Sequence, residues 1–133
     1  MMNHHSETYV LPVEILSEAN INAHWAKKVT RKNTYKTAVD IVWAQHSIQV
    51  QLPCVITLTR CSPRFFDDDN LVTSFKTIRD RIAQKIFPGT LPGKADNDPR
   101  IVWKYSQKKS QKKYAEMTIE PGEDNATQEG EVK

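Results

Sequence analysis

The chain has 133 residues, a length that fits one compact domain, and 38% of them are hydrophobic, enough for a modest core. It contains no apolar run near the ~20 residues of a membrane-spanning helix and no apolar leader at residues 1–5, so we expect a cytoplasmic protein without membrane contact. Residues 116–133 hold six acidic residues and one lysine, which leaves 18 basic and 10 acidic residues, a balance of +8, in residues 1–115. Such a basic body is typical of proteins that bind polyanions.

Hydrophobic periodicity predicts six elements along the chain. They are, in order, a strand at 9–16, a helix at 34–46, a strand at 55–60, a helix with apolar residues from 71 to 86, a strand at 99–105 and a strand at 114–119. The order β-α-β-α-β-β predicts an α/β domain with two main helices on a small mixed sheet of about four strands. We expect this single domain to occupy residues 1–120, and the acidic residues 121–133 to form a disordered tail.

An acidic triplet, Asp67, Asp68 and Asp69, precedes the second predicted helix. One aspartate would suffice to cap that helix, whereas three adjacent carboxylates repel one another unless a cation neutralises them. If the segment is extended, Asp67 and Asp69 project to one side and Asp68 to the other. Two carboxylates in this arrangement can present hard oxygen ligands to one cation. We therefore predict that Asp67 and Asp69 bind a metal, with a simple helix cap as the alternative.

A second acidic cluster, Asp96 and Asp98, opens the third predicted strand. It is either a polar turn or the distant half of a Mg²⁺ site, since Mg²⁺ takes few protein ligands and these can come from separate segments. On the second predicted helix, Lys76 and Asp80 share the face opposite the apolar stripe with Asp69. We predict that Lys76 can meet a phosphate, and we interpret Asp80 as part of an ordinary solvated face.

The ordered combination of these motifs resembles the RusA-type Holliday-junction resolvases, a phage- and prophage-associated endodeoxyribonuclease family. The resemblance covers residues 9–119 and rests on the segments 67–71, 75–80, 96–103 and 105–107, with Asn20, His24 and Trp25 near the first turn. It implies a homodimer that cuts four-way DNA junctions during recombination and repair. It also implies Mg²⁺, with Mn²⁺ as an alternative, held by Asp67, Asp69 and Asp98 with Asp96 beside them.

One departure concerns a lysine. Many family members carry it three residues after the asparagine of the motif, where this chain has Thr73, and Lys76 lies one turn further along. We therefore predict Mg²⁺-dependent phosphodiester hydrolysis with Asp67, Asp69, Asp98 and Lys76 as catalytic residues.

Contacts to the DNA backbone are expected from basic and polar residues in four parts of the chain. The predicted set is Lys27, Lys28, Arg31, Lys32, Asn70, Arg100, Lys108, Lys109, Lys112 and Lys113. Trp25, Tyr35 or Phe66 are candidates for stacking on unpaired bases. Two other classes stay open: a non-catalytic prophage protein that binds branched DNA, and a structural protein whose aspartates only cap a helix.

Overall fold

A computed structural model describes residues 6–17, 25–91 and 93–122. Its elements are β1 (Glu7–Leu11), α1 (Trp25–His46), β2 (Cys54–Ser62), α2 (Asp68–Ser74), α3 (Lys76–Ile86), a 3₁₀ turn (Ala95–Asn97), β3 (Ile101–Lys109) and β4 (Tyr114–Pro121). The strands form one sheet in the order β1-β4-β2-β3. The β2–β3 pair is parallel and the other two pairs are antiparallel. The predicted α/β class and four-stranded mixed sheet are confirmed.

The helices pack on one face of the sheet, and alternation along each strand decides which residues they cover. Leu58 of β2 lies between Met117 of β4 and Tyr105 of β3, and the Leu58 and Met117 side chains are fully buried. On β3, Val102 and Lys104 alternate with Trp103 and Tyr105 and point to the opposite face of the sheet, where they are exposed. The core therefore lies between the face of Leu58 and the apolar stripes of the helices, which include Tyr35, Ala38, Val39 and Val42 on α1 and Ile78 and Ile82 on α3.

The helices differ from the prediction in two places. The second predicted helix is divided into α2 and α3 at Phe75, where the backbone (φ −94°, ψ 2°) leaves the helical region. The apolar spacing continues through the break, because Leu71, Phe75 and Ile78 are all buried in the same core. In addition, α1 begins at Trp25 rather than Thr34, and its first turns have no buried residue to produce a periodic signal.

We expect Phe75→Ala to lower the free energy of unfolding by about 3–5 kcal/mol, since it removes a fully buried ring that joins α2 and α3 to the core. Urea denaturation followed by circular dichroism measures this loss. The control is Phe65→Ala, because Phe65 is 52% exposed. Equal losses for the two variants would contradict the assignment of Phe75 to the core.

The remaining sequence predictions fall partly outside the described residues. Asn20, His24 and residues 123–133 of the predicted tail lie there. Pro121 ends β4, and the Gly122 amide donates to the Pro53 carbonyl oxygen at 3.0 Å, so the sheet extends beyond the predicted domain boundary. Cys54 and Cys61 are buried free thiols. No described helix is long and apolar enough to span a membrane.

Candidate functional site

One end of the sheet gathers the acidic triplet and a lysine-rich loop. β2 and β3 finish there together, with Ser62 paired to Lys109, and β4 begins there, with Tyr114 paired to Cys61. The β3–β4 connection crosses this end, where the Ser110 amide donates to the Ser62 carbonyl oxygen at 3.2 Å. We call this the carboxyl end of β2. Four residues separate the end of β2 from Asp67, and residues 108–113 cover the end of β3 and the turn into β4. The acidic triplet and these lysines therefore lie at the same end of the sheet.

The first turns of α1 extend toward the same end. Tyr35 lies level with the last part of β2, because its hydroxyl accepts from the Leu16 amide at 3.1 Å while Arg60 donates to the Ile15 carbonyl oxygen at 3.1 Å. The other end of α1 lies further back, where the His46 ring is 5.0 Å from that of Tyr9. Residues 25–34 therefore run about 15 Å beyond Tyr35, at 1.5 Å per residue.

This projecting part of α1 is basic and open to solvent. Lys27, Lys28 and Lys32 are exposed, and Arg31 is half-buried. Trp25, at its start, is 70% exposed. Four of the predicted nucleic-acid-binding residues thus lie on one helical segment near the carboxyl end of β2.

The lysine-rich loop lies at the same end of the sheet as the acidic triplet. Lys108 and Lys113 form exposed ion pairs with Glu116 at 3.4 Å and Glu14 at 3.6 Å, pairs that contribute little to stability. The Lys109 ammonium lies 5.5 Å from the centroid of the Phe65 ring. Lys112 is exposed. These four lysines remain positioned to contact a polyanion.

Asp67 is the N-cap of α2. Its Oδ1 accepts a hydrogen bond from the Asn70 amide at 2.8 Å, and its backbone is extended (φ −72°, ψ 168°). Asp68 and Asp69 are already helical and exposed, so the alternation that placed Asp67 and Asp69 on one side does not hold. Asp67 therefore caps α2, and Asp68 and Asp69 add two exposed carboxylates in the first turn.

Asp96 is held between α3 and β3. Arg79 donates through Nε to Asp96 Oδ2 at 2.9 Å and through Nη2 to the Asp96 carbonyl oxygen at 3.2 Å. The same carbonyl accepts from Trp103 Nε1 at 3.0 Å, and Arg79 Nη1 donates to the Tyr105 hydroxyl at 2.9 Å. The Asp96 side chain is only 12% exposed. Trp103 and Tyr105, on the same face of β3, thus hold Asp96 and Arg79 in place.

Asp80 lies beside Asp96, and its interpretation as a solvated surface residue is wrong. Its Oδ1 is buried and has no hydrogen-bond partner among the described residues, while Lys76 Nζ lies 3.8 Å from Oδ2. Burial raises the pKa of Asp80, Lys76 opposes that rise, and the nearby Asp96 carboxyl adds to it. The sequence carried one signal for this residue, its spacing four positions after Lys76 on the same helical face.

The raised pKa of Asp80 predicts how its removal affects stability. Folding favours the protonated carboxyl, so its contribution to stability is full below the unfolded pKa of about 3.9 and is lost as pH rises through the folded pKa. We therefore expect Asp80→Asn to raise Tm at pH 7 and to leave it unchanged near pH 3. Thermal unfolding over this pH range measures the difference. A lower Tm for Asp80→Asn at pH 7 would contradict the prediction.

Among the described residues, the Asp98 carboxylate forms hydrogen bonds with Arg100 and not with Arg79 or Asp80. Its Oδ1 accepts from the Arg100 amide and from Nε, both at 3.0 Å, and its Oδ2 accepts from Nη2 at 2.9 Å. These bonds lower the pKa of Asp98 to about 2. The Arg100 guanidinium also lies 5.0 Å from the Phe87 ring centroid. Asp98 and Arg100 therefore neutralise each other at the start of β3, away from the lysine-rich loop.

The two acidic clusters contact different points of β3. Gln107 bonds to Phe66, next to Asp67, while Trp103 bonds to Asp96. Four residues of strand separate these contact points by about 13 Å. Within residues 6–17, 25–91 and 93–122, no group of three or more His, Cys, Asp or Glu side chains is placed to hold a metal. The structure thus pairs Asp80 with Asp96 but does not bring Asp67, Asp69 and Asp98 together.

The aromatic candidates for base stacking differ in how far they are exposed. Tyr35 is buried, and Phe66 is half-buried with the Arg60 guanidinium 3.4 Å from its ring centroid. Trp25 is exposed, as is Phe65, which sequence reasoning missed although it lies two residues before Asp67. Trp25 and Phe65 are therefore the aromatic side chains of this group that a ligand can reach.

Comparisons with known proteins add no assignment. The chain matches no model of a known protein family, and no curated protein is significantly similar to it.

Proposed function

We propose that this protein is a divalent-cation-dependent endodeoxyribonuclease of the RusA type, which resolves four-way DNA junctions. The observation that carries the proposal is the carboxyl end of β2, because the exposed aspartates of α2, the lysine-rich loop and the basic first turns of α1 all come to this end of the sheet. Lysines attract the phosphate backbone without regard to sequence. Exposed aspartates at the same end would repel that backbone unless a cation binds both the carboxylates and a phosphate.

The donor set fits a hard cation such as Mg²⁺ or Mn²⁺. The candidate ligands are carboxylates, the ligand type that Mg²⁺ takes in small number while keeping waters. Asp69 is exposed beside the capping Asp67, and Asp80 has a buried oxygen without a partner. We propose Asp67 and Asp69 as ligands at α2, and Asp80 and Asp96 as the second carboxylate pair. Asp96 replaces Asp98 in this role because Arg100 already satisfies both Asp98 oxygens.

The chemistry would be hydrolysis of a phosphodiester bond. A bound divalent cation lowers the pKa of a coordinated water and neutralises developing negative charge. Lys76, with a side chain 73% exposed, is free to contact a phosphate at the cost of a weak 3.8 Å ion pair with Asp80. Arg79 holds the Asp96 carboxylate in one orientation. A homodimer in the cytoplasm, with one site on each side of a junction, completes the proposal from the RusA resemblance.

The test is cleavage of a synthetic four-way junction by the purified protein with Mg²⁺ or Mn²⁺. We expect paired, symmetrical nicks near the branch point and none in a linear duplex of the same sequence. Addition of excess EDTA should stop the reaction. If no junction, fork or flap is cut with either cation, the nuclease proposal fails.

The alternative is a branched-DNA-binding prophage protein without catalysis. The observation that favours it is the separation of the two acidic clusters among the described residues, which leaves no assembled metal group. Such a protein would bind junctions equally well with and without Mg²⁺. Its binding would also be unaffected by substitution of the aspartates with asparagine.

A further inference from the structure

The segment that carries Asp67 is fastened to β3 by a side-chain amide. Gln107 Oε1 accepts from the Phe66 amide at 2.7 Å, and Gln107 Nε2 donates to the Phe66 carbonyl oxygen at 2.8 Å. A glutamine amide offers both a donor and an acceptor, so it can satisfy both backbone groups of one residue. Gln107 thus satisfies both backbone groups of Phe66, as the backbone of a neighbouring strand would. Phe66 is the residue immediately before Asp67.

Arg60, the cross-strand partner of Gln107, fastens the same segment through the Phe66 ring and the Arg64 carbonyl oxygen. Its side chain is buried, and its Nη1 donates to the Arg64 carbonyl oxygen at 2.6 Å while its guanidinium lies 3.4 Å from the Phe66 ring centroid. Its Nε donates to the carbonyl oxygen of Ile15. Burying a guanidinium costs free energy that these backbone bonds and the cation–π contact must offset. Arg60 therefore holds the loop before α2 against the end of β2.

We propose that Arg60 and Gln107 form a clamp on Phe66 that positions Asp67 for cation binding. This inference rests on the proposed function. The clamp fixes the backbone on the amino side of Asp67, and the bond to the Asn70 amide fixes its side chain on the other. Because a displacement of about 1 Å at a reactive site can cost 10²-fold in rate, such fixing matters more to a cation site than to a surface turn.

The clamp and the site can be tested with separate readouts. Gln107→Ala removes both bonds, and Gln107→Glu keeps the size of the side chain but loses the donor to the Phe66 carbonyl. Amide hydrogen exchange at Phe66 reports the clamp directly, and calorimetric titration with Mn²⁺ reports the cation site. The matched control is Gln45→Ala, which removes an exposed glutamine from α1.

We expect Gln107→Ala to accelerate exchange at Phe66 at least tenfold and to weaken Mn²⁺ binding by about 10–100-fold, the range for an outer-shell partner of a metal site. Gln107→Glu should weaken it less, and Gln45→Ala should change neither. Unchanged exchange at Phe66 in both Gln107 variants overturns the clamp. Faster exchange with unchanged Mn²⁺ affinity overturns its positioning role. A parent protein that binds no Mn²⁺ overturns the proposed function itself, and the unsubstituted protein alone reveals this.

Discussion

Asp69→Asn is expected to lower the rate of Mg²⁺-dependent junction cleavage by more than about 100-fold while leaving junction binding within about threefold. Asparagine keeps the size of the side chain but supplies a neutral oxygen, so the substitution weakens binding of the cation. Loss of even an outer-shell partner costs 10–100-fold at metal sites, and a direct ligand should cost more. Single-turnover cleavage with saturating protein, together with gel-shift titration of the same junction, separates the two effects.

The matched control for this prediction is Asp68→Asn. It removes one negative charge from the neighbouring exposed position in the first turn of α2, so it has the same effect on net charge and on the helix dipole. We expect cleavage within about threefold of the parent. If the two variants lose the same activity, the triplet acts through its summed charge, and the assignment of Asp69 as a ligand is wrong.

The pair Asp96→Asn and Asp98→Asn distinguishes the ligand derived from the RusA resemblance from the one that the geometry favours. Asp96 is enclosed between Arg79, Trp103 and α3, next to Asp80, whereas Asp98 is bound to Arg100. We expect loss of cleavage for Asp96→Asn and retention for Asp98→Asn. The reverse result would restore Asp98 as the ligand.

The sequence predicted the fold well because its strands and helices bury one face each. The alternation at 55–60 and the apolar spacing from Leu71 to Ile86 both follow from contact with a single core. The exposed first turns of α1 and the break at Phe75 were missed for the same reason. Residues 25–34 place no buried residue in the core, and Leu71 and Ile78 on either side of the break at Phe75 are buried in the same core, so the apolar spacing does not reveal the break.

The acidic site was less accessible to sequence reasoning because it depends on contacts between distant segments. The clusters at 67–69 and 96–98 could be found by composition, but the choice between Asp96 and Asp98 depends on Arg79, which is 17 residues away from Asp96. The burial of Asp80 likewise depends on the packing of α3 beside the 3₁₀ turn. Local spacing identifies candidate ligands, whereas their partners are set by the tertiary fold.

A last prediction concerns the projecting turns of α1. We expect Lys28→Ala/Lys32→Ala to lower the slope of log K against log salt concentration for junction binding by about 1.8, at ~0.9 per lost phosphate contact. Both lysines are exposed in the first turns of α1, on the amino side of Tyr35, which lies level with the last part of β2. Fluorescence anisotropy at several salt concentrations measures the slope.

The charge-matched control is Lys94→Ala/Lys104→Ala, which removes two exposed lysines from other parts of the surface. A general loss of positive charge would lower affinity in both double variants and would change the two slopes equally. Direct phosphate contacts by α1 would change only the slope of the first. Because those contacts position the backbone without reading its sequence, the change should be the same for junctions of different sequence. Equal slopes for both double variants would contradict a role of α1 at the phosphate backbone. The role of the acidic site is tested separately by the aspartate substitutions.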